Sequence, residues 1–69
     1  METLKINGVE KQFTAGMPKT LTELLEQLGV EKSTVVAEVD GQIVESNKFA
    51  MTNLHEGQKI ELVKFVSGG

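Results

Sequence analysis

The 69-residue chain has no cysteine, arginine, tryptophan or tyrosine, and only one proline and one histidine. Without cysteine, neither a disulfide nor a thiolate metal site can hold the fold, so a hydrophobic core has to do it alone. The single histidine, His55, cannot make a metal cluster by itself. Lack of arginine removes the bidentate fork that grips phosphate. The seven lysines are scattered among ten acidic residues, for a net charge of −3. This argues against nucleic-acid binding; most of these charges read as a solvated surface, and the mild acidic excess keeps the chain soluble and would steer it towards basic partners. No apolar run approaches the roughly 18 residues of a membrane span, and no leader sequence is visible. The expectation is a soluble, cytoplasmic protein that engages neither membrane nor nucleic acid and holds no metal.

A chain this short forms one domain and buries roughly 60% of its unfolded surface. That allows one thin core and no deep internal active site. Linkers, repeats and low-complexity stretches are absent. Met1 to Ile6 reads as a strand, Asn7-Gly8 as a two-residue hairpin turn, and Val9 to Thr14 as the returning strand. Ala15 to Lys19, with Gly16 and Pro18, reads as a loop. Thr20-Leu21-Thr22-Glu23 fits a capping box, in which threonine oxygen and glutamate carboxylate each take an orphan backbone N–H. Leu21, Leu24, Leu25 and Leu28 then form one apolar helix face, and Gly29 supplies the stop.

Val35 to Val39 predicts a third strand, and Asp40-Gly41 a second hairpin turn into Gln42 to Val44. Ser46 to Leu54 shows no clear period and reads as a short helical turn and loop over one end of the core. Glu56-Gly57 turns the chain into a last strand, Lys59 to Val66. The expected fold is α+β in two layers, a mixed sheet of four to five strands packed on one main helix.

One helix covers one sheet face, and the other face should be mostly polar. In the last strand Ile60 and Leu62 share the helix-facing side. Glu61, Val63 and Phe65 share the opposite side, where two apolar groups meet water. A bulge that flips the parity, or a loop that covers them, is one explanation. The other is a docking patch in which Phe65, with Val63, anchors a partner.

After Phe65 the chain reads Val66-Ser67-Gly68-Gly69. Residues 1–65 are expected to form the domain and residues 66–69 a flexible arm. A diglycine also suits a frayed end or a cloning scar. Its functional reading rests on width: with no Cβ, it threads a slot that rejects any other residue. Phe65 to Gly69, fully extended, would span roughly 17 Å. A terminal carboxylate on Gly69 is ionised at neutral pH. It can attack the α-phosphate of ATP when an enzyme supplies Mg²⁺ and alignment.

Several stretches together resemble a known family: the hairpin over Asn7-Gly8, the helix from Leu21 to Gly29, Val36 to Val44, His55 to Leu62, and the ending Phe65-Val66-Ser67-Gly68-Gly69. The sequence is similar along its whole length to the ThiS family of thiamine-biosynthesis sulfur carriers, within the ubiquitin-like β-grasp superfamily. The specific part is the terminal diglycine; Gln58 departs from the aspartate that the family often carries there, at a turn remote from the chemistry.

The resemblance implies a β-grasp fold and a carrier that is not itself an enzyme and holds no permanent cofactor. An E1-like adenylyltransferase of the ThiF type would use ATP and Mg²⁺ to adenylate Gly69. Sulfur supplied through a cysteine desulfurase would replace AMP to give a thiocarboxylate. Thiazole synthase, of the ThiG type, would accept that sulfur. By position Gly69 is the modified residue, Gly68 the slim approach, and Val66 and Ser67 part of the extended arm.

Three other readings compete. A molybdopterin-pathway sulfur carrier often has Pro-Pro ahead of its diglycine, and Lys64-Phe65-Val66 has none. A ubiquitin-like protein modifier would be conjugated through Gly69, but no arginine precedes the diglycine here. A passive interaction module would carry the tail by chance. Catalysis by the chain itself has no support: Ser67 and His55 lie twelve residues apart with no third partner indicated, and no phosphate-cradling glycine loop occurs. His55 reads as a turn residue.

Overall fold

The two hairpin signals set the sheet. Asn7 and Gly8 adopt φ of +50° and +81°, and Asp40 and Gly41 adopt +50° and +85°. These are the positive-φ pairs a type I′ turn requires. The first turn joins β1 (Glu2–Ile6) to β2 (Val9–Phe13), and the second joins β3 (Val35–Val39) to β4 (Gln42–Val44). The last strand, β5 (Lys59–Lys64), runs between the hairpins, antiparallel to β3 and parallel to β1. The sheet order is β2-β1-β5-β3-β4. The computed structural model describes residues 2–65.

Helix α1 (Leu21–Leu28) crosses one face of this mixed sheet. Thr20 caps it in extended geometry, its Oγ1 accepting from Glu23 N–H at 3.2 Å. The capping box differs from expectation in its second half. Glu23 Oε1 accepts from the N–H of Lys19, at 3.0 Å, rather than from that of Thr20. The cause is tertiary. Leu21 N–H donates to Thr52 O and Leu54 N–H to Lys19 O, so the chain entering the helix runs beside 52–54 and brings the Lys19 amide within reach. Gly29 ends the helix at φ +70°, its N–H returning to Glu26 O.

Leu21, Leu24 and Leu25 project from the helix into a core shared with Leu4, Phe13, Ala37 and Ile60 of the sheet. The Ser46–Met51 stretch forms a 3₁₀ helix that closes one end of this core with Phe49, which is 1% exposed. A second 3₁₀ turn, Lys32–Thr34, was not legible in the sequence. It delivers the chain to Val35, whose side chain is buried.

Candidate functional site

β5 is gripped by both hairpin turns. The β1–β5 pairing ends at Ile6↔Ile60, and among the described residues no backbone pairs with β5 beyond the turn at Asn7 on that side. There the Asn7 side chain takes the ladder's place: its Oδ1 accepts from Leu62 N–H at 2.7 Å, and its Nδ2 donates to Leu62 O at 3.1 Å. On the other side, Asp40 Oδ1 accepts from Lys59 N–H at 2.9 Å while the Asp40 N–H donates to Lys59 O at 2.8 Å. The residue that opens each turn in left-handed conformation thus also fastens the strand between the hairpins. Asparagine and aspartate suit both tasks, since they tolerate positive φ and carry a short acceptor.

The grip fixes which side chains face outwards. The β3–β5 register runs unbroken from Val39↔Ile60 to Val35↔Lys64, so no bulge flips the parity. Ile60 is buried, Leu62 packs against the core, and Glu61, Val63 and Phe65 face away from the helix. Val63 is 56% and Phe65 47% exposed, so no described loop covers them. Phe65 N–H donates to Thr34 O at 2.9 Å, which keeps the chain in line one residue past the strand.

Two residues join this patch that the sequence reading did not assign. Val36 lies directly opposite Val63. Ile43 on β4 lines the same open groove as Val36 and Phe65. Their orientation was hidden because Val35-Val36-Ala37 is a continuous apolar run that does not announce its faces. The register shows that Val36 points out while Val35 and Ala37 point in.

The remaining groups look structural. Exposed His55 precedes the turn into β5, and its backbone N–H donates to Gln58 Oε1 at 2.7 Å. Gln58 Nε2 lies 3.4 Å from Asp40 Oδ2, so the residue departing from the family pattern serves the turn. Among the described residues no three His, Cys, Asp or Glu side chains are grouped to hold a metal, and none of the buried side chains is polar or charged. No described helix is long and apolar enough to cross a membrane. The tail residues Val66, Ser67, Gly68 and Gly69 lie outside the described residues. What the described part presents is an uncovered sheet face with an apolar corner.

Comparison with known proteins agrees with this architecture. A crystal structure of the thiamine biosynthesis protein ThiS from Geobacter metallireducens superposes with a TM-score of 0.83 at 29% identity, covering 97% of this chain and 99% of that one. A solution structure of a thiamine biosynthesis protein from the same organism gives a TM-score of 0.79, also at 29% identity, over 97% of this chain and 87% of that one. A thiazole synthase of Paramagnetospirillum magneticum is 39% identical over 66 residues, which are 96% of this chain but 20% of the relative. The chain thus spans about one fifth of that curated relative. The model of the ThiS family matches residues 2–69. With a five-stranded mixed β-grasp sheet on one helix and a family match of that extent, this chain belongs to the ThiS family.

Proposed function

We propose that the chain is a sulfur carrier for thiazole formation in thiamine biosynthesis, acting as a protein co-substrate rather than as a catalyst. The observation that carries this reading is the family match, which extends through Gly68 and Gly69. It is supported by the thiazole synthase that contains, within one fifth of its length, a segment similar to 96% of this chain. Covalent linkage of such a segment to a thiazole synthase makes that enzyme a natural acceptor of what the carrier delivers.

In this reading the work is divided. The adenylyltransferase supplies ATP and Mg²⁺ and aligns the groups; the carrier supplies the Gly69 carboxylate. A carboxylate oxygen attacks the α-phosphorus and pyrophosphate leaves, giving an acyl-adenylate. A sulfur nucleophile, with sulfur drawn from a cysteine desulfurase, then adds to the activated carbonyl carbon. AMP leaves with the oxygen that had joined the phosphate; the nucleophile being the terminal sulfur of a persulfide, a thiol then cleaves the acyl disulfide so formed, leaving the thiocarboxylate on Gly69 and a disulfide on the donor. Phe65 and Val63 hold the partner at the sheet face. Val66, Ser67 and Gly68 form the narrow approach to its catalytic chamber.

Intact mass after incubation with a ThiF-type adenylyltransferase, ATP, Mg²⁺ and a sulfur source tests the scheme. A gain of about 16 Da, sulfur for oxygen, supports it. A ladder of larger masses would instead indicate a protein modifier. Sulfur delivered to a molybdopterin precursor, and not to thiazole synthase, would move the carrier to that other pathway.

A further inference from the structure

We infer that the docking surface reaches well beyond Val63 and Phe65, and that it selects an adenylating partner whose apolar contact is bordered by a lysine or arginine. This rests on the carrier reading above and adds the chemistry of the partner's surface. The outer face of β5 presents its side chains in a fixed sequence along the strand: Lys59, then Glu61, then Val63, with Phe65 just beyond. Each neighbouring strand matches part of that order. Lys5 is the register partner of Lys59, Glu38 that of Glu61, and Val36 that of Val63. The face is therefore basic where β1 meets β5, and acidic and then apolar where β5 meets β3.

Both charged bands pair like signs across strands, Lys5 with Lys59 and Glu38 with Glu61, and only the acidic one borders the apolar patch. Like charges directly opposite on adjacent strands destabilise a sheet. Yet Glu38 faces Glu61, and the next strand places Ile43, 70% exposed, directly opposite Glu38. Two carboxylates thus sit against the edge of an apolar patch formed by Val36, Ile43, Val63 and Phe65. A protein docking on that patch covers the carboxylates as well. Desolvating a like-charged pair is favourable only if a cation meets it. The fitting partner carries an apolar centre with a lysine or arginine placed over Glu38 and Glu61. The chain's net charge of −3 steers association in the same sense.

The test is a binding titration of the carrier against a ThiF-type adenylyltransferase with ATP and Mg²⁺, at low and at high salt. The variants are Glu38→Lys/Glu61→Lys, the neutral Glu38→Gln/Glu61→Gln, and Glu10→Lys on the same face but at the β2 edge. The double lysine variant sets two more lysines beside Lys5 and Lys59, so its melting temperature should fall somewhat, whereas the neutral pair should melt at or above the wild type. The double lysine variant should bind roughly tenfold or more weakly at low salt, with the neutral pair in between and Glu10→Lys near the wild type. Wild-type affinity should fall as salt rises, and that dependence should shrink in the neutral pair. If both doubles bind like the wild type with the same salt dependence, while the wild type is adenylated normally, the acidic band has no role and only this inference falls. If the wild type is not adenylated at all, the carrier reading falls and takes this one with it. A double lysine variant that fails to fold leaves the neutral pair and its salt dependence to decide.

Discussion

Asn7 and Leu62 are joined by two hydrogen bonds, Leu62 N–H to Asn7 Oδ1 at 2.7 Å and Asn7 Nδ2 to Leu62 O at 3.1 Å, across 55 positions of sequence. A hairpin-turn side chain thereby stands in for the missing end of β1 and holds the strand that carries Val63.

Asn7→Gly isolates that role. Glycine keeps the positive φ of the turn, so the hairpin should survive. Both hydrogen bonds are lost, and the cost should be on the order of 1–3 kcal/mol. Chemical denaturation measures it. Hydrogen exchange should locate the effect at the Leu62 amide, with the hairpin amides of β1 and β2 little changed.

Phe49→Ala probes the core instead. Phe49 is 1% exposed and closes the end of the core beneath the Ser46–Met51 turn. Removing a buried phenylalanine costs about 3–5 kcal/mol. In a domain of this size that is much of the total stability, so the variant should melt far lower or be largely unfolded by circular dichroism.

Phe65→Glu should behave in the opposite way. Its ring is 47% exposed on the uncovered face. The change in stability should stay within about 1 kcal/mol, while affinity for the adenylating partner drops at least about tenfold. A large fall in melting temperature would mean that Phe65 acts as core and not as an anchor.

The contrast between Phe49 and Phe65 shows how far the sequence could be read. Elements with short-range signals were legible: both hairpins from Asn-Gly and Asp-Gly, and helix α1 from its leucine spacing, threonine cap and Gly29 stop. Period-2 parity in β5 placed Val63 and Phe65 on the outer face, and the unbroken register agrees. What could not be read depends on distant partners. The Glu23 contact to Lys19 follows from the bridge between Thr20 and Asn53. The grips of Asn7 and Asp40 on β5 need the parallel strand placed between two hairpins. Val36 and Ile43 join the patch only through register, and no local pattern encodes that.

Gly68→Ala tests the narrow approach. One added methyl group should slow adenylation strongly, by a factor of about 10 or more, if the partner's slot admits only glycine. Single-turnover adenylation with the partner in excess reads the effect, and binding through the sheet face should change little. Normal kinetics would refute threading.

The most direct measurement is the intact mass of the protein taken from its own cells, and again after incubation with the ThiF-type adenylyltransferase, ATP, Mg²⁺ and a sulfur source. The expected result is a natural product whose last residue is Gly69 and which gains about 16 Da on loading, with no gain when Gly69 is deleted from a still-folded domain. A natural chain that continues untrimmed past Gly69, or a mass that never changes with the active partner present, would contradict the carrier role.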